Sequence, residues 1–141
     1  TMQDDPRYDD VVDDVRAFLE RRLAAAVDAG IPEERVCLDP GIGFGKTVEH
    51  NLELIARLDE LAAVGRPLLL GVSRKRFLAR ILGDELSTSG PLAPALAIAV
   101  LAVERGASIV RAHDVREHVE ALTAAARVRA ALPPTRRPAG R

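Results

Sequence analysis

Apolar residues recur at helical spacing through the first thirty positions. Val11, Val12, Val15, Leu19, Leu23, Ala26 and Val27 follow a 3.6-residue period and predict a helix over about residues 8–29. Asp9 and Asp10 fall in its first turn, where the helix dipole favours acids. Gly30 suits the position just past the last turn, and Pro32 blocks continuation. The apolar run at 35–38 predicts a strand. Thr47 is placed to cap a helix that carries Leu52, Ile55, Leu58 and Leu61 and ends at Gly65. Residues 67–72 are almost wholly aliphatic, the pattern of a strand covered on both faces. A short helix at 76–82 and a polar loop at 84–90 follow. The next helix spans 91–104, with Pro91 and Pro94 tolerated near its start, and Gly106 ends it. Residues 108–111 predict a third strand, and Asp114 is placed to cap a last helix running to about residue 131. The Pro- and Arg-rich stretch 133–141 predicts disorder.

Strands alternating with helices make an α/β chain with parallel strands. Three strands are too few to close a barrel and thin for an open sheet. The chain begins Thr1-Met2-Gln3 and enters a helix within a few residues. The expectation is therefore of a fragment whose opening strands are missing. No repeat implies a solenoid, and no linker implies a second domain.

At 141 residues the chain fits one domain, and a fold of this size buries ~68–70% of its unfolded surface. Hydrophobic residues at 48% and charged residues at 29% describe an ordinary soluble chain. A net charge of −1 gives no electrostatic case for nucleic acid, and the absence of Trp argues against a base-stacking surface. No apolar stretch reaches the ~20 residues of a membrane span, so no membrane partner is expected. No leader is visible, and the cytoplasm is the expected location. The single Cys37 excludes a disulfide within one chain and reads as a buried thiol.

Each predicted strand is followed by a polar cluster: Asp39 to Thr47, then Ser73-Arg74-Lys75, then Arg111 to Asp114. Parallel strands joined by right-handed crossovers put their C-terminal ends on one edge, so the three clusters converge. Asp39 stands where a strand stops, and Pro40 cannot donate to a ladder. Its carboxylate can accept two N–H bonds from a flat heterocycle with an amidine-like edge, or it can pin its own loop. Gly41, Gly43 and Gly45 permit close backbone approach. A Walker loop needs Gly where Pro40 stands, and a dinucleotide fingerprint needs Gly or Ala at Lys46, so neither motif fits. Gly71 again allows close approach, and Lys75 is a mobile point charge suited to a carbonyl, carboxylate or phosphate. Arg111 and His113 lie two apart and share a face, which suits an anion. The competing reading pairs Arg111 with a neighbouring acid such as Asp114. His50 and His118 read as solvated helix positions. No His, Cys and carboxylate spacing points to zinc.

Asp-Pro-Gly-Ile-Gly-Phe-Gly-Lys-Thr at 39–47, Gly-Val-Ser-Arg-Lys-Arg-Phe-Leu at 71–78 and Ile-Val-Arg-Ala-His-Asp-Val at 109–115 resemble dihydropteroate synthase. The resemblance runs from Thr1 to about Val128. It implies the last three strands of an eight-stranded TIM (β/α)8 barrel, with residues 1–132 as a partial pterin-binding domain and 133–141 as a disordered tail. The family joins 6-hydroxymethyl-7,8-dihydropterin diphosphate to 4-aminobenzoate and releases diphosphate. By resemblance, Asp39, Gly43, Gly71 and Lys75 bind the pterin, Phe44 and Lys75 line the aminobenzoate pocket, and Arg111 and His113 bind diphosphate. The resemblance also implies Mg2+ with its protein ligand in the segment carrying the earlier strands, and a homodimer formed through the later helices. Arg76 and Ala112 depart from the residues usual in those motifs. A non-catalytic pterin-binding paralogue or truncated assembly module, a pterin-binding methyltransferase and an unrelated phosphate-binding α/β protein are the competing readings.

Overall fold

The computed structural model describes residues 6–131. Helix α1 (Val11–Asp28) opens at Asp10, whose side chain accepts the Val12 and Asp13 amides. Its buried stripe is Val11, Val12, Val15 and Leu19, and beyond Leu23 the helix runs out of the core, leaving Val27 41% exposed. A 3-10 turn at Glu33–Arg35 follows. Helix α2 (Val48–Ala56) starts at Thr47, whose hydroxyl accepts the His50 amide while the His50 ring accepts the Thr47 amide. The expected single helix to Gly65 is broken at Arg57 into α2 and α3 (Leu58–Ala62). The Arg57 guanidinium binds Asp10, Glu53 and Glu60, tying the start of α1 to both short helices.

Strand β1 (Leu68–Leu70) and strand β2 (Ala107–Val110) form a parallel pair, registered Leu68 with Ala107 and Leu70 with Val110. Between them lie helix α4 (Phe77–Arg80) and helix α5 (Leu92–Glu104), and α6 (Val115–Ala130) closes the order. The described residues thus contain two strands where three are expected. The run at 35–38 contributes one parallel bridge, Leu38 to Leu68. Leu38 donates to Pro67 and accepts from Leu69, but the 3-10 turn before it and Pro40 after it leave no room for a ladder.

One face of this small sheet is packed. Leu38, Leu68, Leu70 and Val72 meet Leu54, Leu58, Leu61 and Val12 in a single core. The other face is open, with Ile109 42% exposed and Leu69 half-buried, so the aliphatic strand is covered on one side and not on both. Cys37 is exposed rather than buried, because alternation turns it away from the side on which Leu38 packs. His118 is also corrected. It is 3% exposed, with Nδ1 on the Asp114 carbonyl at 2.8 Å. His50 is half-buried, capping α2 and standing edge-on to the Tyr8 ring at 5.0 Å. The stretch 133–141, expected to be disordered, lies outside the described residues.

Candidate ligand-binding site

The three polar clusters meet at one edge of the sheet. Gly41, Gly43 and Gly45 have φ of 70°, 80° and 58°. This left-handed backbone is open to glycine at no steric cost, and it coils the chain over the strand ends. Asp39 Oδ1 accepts the Gly41 amide at 2.9 Å, so this carboxylate does pin its own loop. Asp39 Oδ2 faces Arg111 Nη2 at 3.6 Å. Lys46 Nζ closes the loop from inside by donating to the Gly41 and Phe44 carbonyls, both at 3.1 Å. Burial depresses its pKa, and the Asp39 carboxylate opposes that shift.

Lys75 enters from the second cluster. Its Nζ donates to the Ile42 carbonyl and stands 4.4 Å from the centre of the Phe44 ring, a cation–π contact. A methyl on Gly43 would come within 2.8 Å of the Lys75 stem, so glycine here makes room for the lysine. Partial burial pushes the Lys75 ammonium down to about 8, against the pull of Asp39 and helped by the nearby Arg111 and Lys46 charges. Arg74, beside it, adopts φ 60° and pairs with Asp114 at 2.9 Å. That ion pair occupies the side chain expected to cap α6, and Asp114 makes no side-chain cap.

The third cluster supplies Arg111 and His113. The Arg111 guanidinium lies across Gly71, where an added methyl would sit 2.9 Å from Nη2. Arg111 therefore faces Asp39 and not the neighbouring acid Asp114. His113 is anchored through Ser73, whose Oγ is 3.1 Å from both its amide and its Nδ1. A cavity of about 450 Å³ is lined by Phe44, Gly71, Lys75, Arg111 and His113 together with Ser73. Asp39 stands at its margin through Arg111, and Gly43 through Lys75. All seven residues singled out by sequence thus gather at one edge. The chemistry is a carboxylate beside three cationic or proton-donating groups and one aromatic face. Among the described residues, no group of three or more His, Cys, Asp or Glu is disposed to hold a metal ion.

A family model described as "Pterin binding enzyme" matches residues 1–113. The chain belongs to the pterin-binding enzyme family. Dihydropteroate synthase of Escherichia coli K12 is 45% identical over 122 residues, covering 86% of this chain and 43% of that protein. The dihydropteroate synthase of Xanthomonas albilineans, solved with 7,8-dihydropteroate, superposes with a TM-score of 0.84 at 44% identity, covering 91% of this chain and 49% of that one. The Thermus thermophilus enzyme, solved with 4-aminobenzoate, gives 0.84 at 45% identity, covering 92% and 51%. The chain spans about half the length of the relatives it matches.

This pterin-binding enzyme chain also carries three supporting residues, two of them, Asn51 and Tyr8, outside the polar clusters that mark the site in the sequence. Asn51 is 1% exposed; its Oδ1 accepts the Gly43 amide and its Nδ2 donates to the Thr47 carbonyl, both at 2.6 Å. It stands three, four and seven residues before Leu54, Ile55 and Leu58 on the buried face, while Leu52, expected inside, is 41% exposed. A polar residue in the apolar stripe was the signal for it. Tyr8, the one tyrosine of the chain, donates to the Gly45 carbonyl at 2.8 Å. Ser73 is 6% exposed, and only its place at a strand end marked it.

Proposed function

We propose that this chain forms the pterin and diphosphate side of a dihydropteroate synthase site, on a portion of a (β/α)8 barrel. The observation that carries the reading is that Lys75, Arg111 and His113 line one cavity at two strand ends and Arg111 joins it to Asp39, just past the Leu38 bridge. Asp39 keeps acceptor capacity beyond its bond to Gly41, since a carboxylate has about four lone-pair sites. It accepts N–H donors from the 2-amino-pyrimidinone edge of the pterin once Arg111 releases it. Lys75 holds the ring carbonyl and, with Phe44, borders the aminobenzoate. Gly43 and Gly71 keep the approach open.

Arg111 and His113 bind the diphosphate. Substitution at the pterin methylene breaks its bond to diphosphate oxygen as the aminobenzoate nitrogen bonds to carbon, and the proton that nitrogen sheds passes to solvent. Donors already aimed at the leaving oxygens stabilise the charge that develops there. The related synthases solved with 7,8-dihydropteroate and with 4-aminobenzoate support this choice of substrates. The residues described here do not compose a metal centre, and no step is assigned to an ion.

The reading extends to assembly and setting. Helix α5 has no charged residue between Leu92 and Val103. It buries Ala95, Ile98, Ala99 and Ala102 but leaves Leu101 43% exposed, and on α6 Val115 and Val119 are 60% and 57% exposed. These helices are proposed to form a homodimer, in the cytoplasm. A native gene product that sediments as a monomer at micromolar concentration would overturn the dimer. The functional test is dihydropteroate formation by that product from pterin diphosphate and 4-aminobenzoate. Both Asp39→Ala and Arg111→Ala are expected to remove most of it, and unchanged turnover in either would sink the assignment.

A further inference from the structure

We infer that Ser73 fixes the tautomer of His113, so that the imidazole offers its Nε2–H to an anionic oxygen in the cavity. The choice of anion rests on the functional reading above; the tautomer does not. Ser73 is 6% exposed and sits just past β1. Its Oγ lies 3.1 Å from the His113 amide nitrogen and 3.1 Å from His113 Nδ1. The amide can only donate, so Oγ accepts there. One hydroxyl hydrogen is left to place, and among the described residues Nδ1 is the acceptor within reach. If Nδ1 carried the hydrogen and donated to Oγ, the hydroxyl would have no protein acceptor among the described residues. A protein–protein bond would then go unmade that the other arrangement makes.

The hydroxyl therefore donates to Nδ1, and a neutral imidazole that accepts at Nδ1 carries its hydrogen on Nε2. His113 is exposed on its other side and lines the cavity with Arg111 and Lys75. A neutral ring so oriented is already a donor. Arg111 supplies the charge, and His113 adds a hydrogen bond of fixed direction. Ser73 is thus a positioning residue acting through His113. The same hydroxyl also bonds the backbone at 113, so ring and backbone are locked by one atom.

The experiment is nitrogen-15 correlation spectroscopy of the imidazoles in residues 1–141, at pH about 8.5, where an ordinary imidazole is neutral. The chain has three histidines, and His113→Gln identifies the relevant signals. The unaltered protein is expected to show His113 as the Nε2–H tautomer. Ser73→Ala is expected to give a mixture of tautomers, and Ser73→Thr, which keeps the hydroxyl, to restore the original pattern. An Nδ1–H tautomer in the unaltered protein would overturn the inference, and so would a pattern unmoved by Ser73→Ala. The first of these needs no variant to fold. Inorganic diphosphate should bind Ser73→Ala about threefold to tenfold more weakly, the loss of roughly one ordinary hydrogen bond. Failure of diphosphate to bind the unaltered protein would count against the anion reading, while the tautomer pattern still decides the role of Ser73.

Discussion

The glycine loop and the Arg111–His113 rim face the same cavity and are held in opposite ways. The loop is bonded throughout its length. Asp39 takes the Gly41 amide, Asn51 takes the Gly43 amide, Lys46 spans two carbonyls, and Tyr8 reaches the Gly45 carbonyl. In the rim, His113 is anchored by Ser73 but the Arg111 guanidinium is loosely held. The Arg111 side chain is 62% exposed and its contact with Asp39 is 3.6 Å long. An exposed pair of that kind contributes ~0–1 kcal/mol, so a ligand displaces it at small cost. Shape on one side is set by folding, and charge on the other is left free to follow a ligand. A flat ring needs a prebuilt slot, whereas a multiply charged anion is satisfied by one mobile guanidinium beside a fixed donor.

Both sides face the cavity from one edge of a two-stranded sheet whose other face is open. Residues 1–141, purified and given pterin diphosphate, 4-aminobenzoate and magnesium, are therefore expected to yield no dihydropteroate near the rate of full-length relatives. A misplacement of ~1 Å already costs about a hundredfold. Product formed at the full-length rate would show that this edge, or two copies of it, makes a complete site.

Stability separates the two sides more directly. Asn51→Ala removes the side-chain acceptor of the Gly43 amide, at about 1–3 kcal/mol, while the Thr47 carbonyl keeps its bond from the Asn51 backbone amide. A loss of roughly 1–3 kcal/mol in urea unfolding is expected. Arg111→Ala should change unfolding by no more than about 0.5 kcal/mol, as an exposed position does. Equal losses would erase the contrast.

Ligand binding should invert that order for the rim. Arg111→Ala is expected to weaken inorganic diphosphate by about 1.5–3 kcal/mol, the scale of a charged hydrogen bond, when measured by calorimetry. Unchanged affinity would remove Arg111 from the anion site.

The sequence was a good guide where one physical rule acted alone. Strands at 68–70 and 107–110, a helix start at Thr47 and the convergence of Asp39, Lys75, Arg111 and His113 all follow from periodicity and parallel topology. It misled where tertiary partners compete. Asp114 gave its carboxylate to Arg74 in place of the α6 amides, and the run at 35–38 shrank to one bridge between a 3-10 turn and a proline. Cys37 and Leu69 look like core by composition, yet burial depends on what covers a sheet face, which a strand's own residues do not say. The glycines were read as room for a ligand. Their positive φ and the contact of Gly43 with Lys75 show that the loop itself requires them. Asn51 shows in the sequence only as a polar residue in an apolar stripe, and its backbone partners, the Gly43 amide and the Thr47 carbonyl, leave no mark there.

The smallest expected effect is a dependence on pH that belongs to the loop side. Lys75 has its stem against Gly43 and its ammonium on the Ile42 carbonyl, and burial lowers its pKa from an ordinary 10.5 to about 8. Between those two values the unfolded chain binds more protons than the folded one. Stability therefore rises with pH through that window, and the penalty for burying the charge is present in full below about 8. Lys75 is only half-buried, so solvent screening holds the gain to under ~1 kcal/mol. Lys46 is depressed in the same direction, and a rise in the unaltered protein is not due to Lys75 alone. Urea midpoints at pH 7 and pH 9.5 for the unaltered chain and for Lys75→Met separate the two, since the variant should lose part of the rise. An identical rise would mean that the Lys75 ammonium is not shielded by the loop. Arg111→Ala provides the counterpart. An arginine keeps its charge throughout this range, so the rim should contribute almost no slope of its own. Adding diphosphate should flatten the rise, because an anion beside Lys75 favours its charged form.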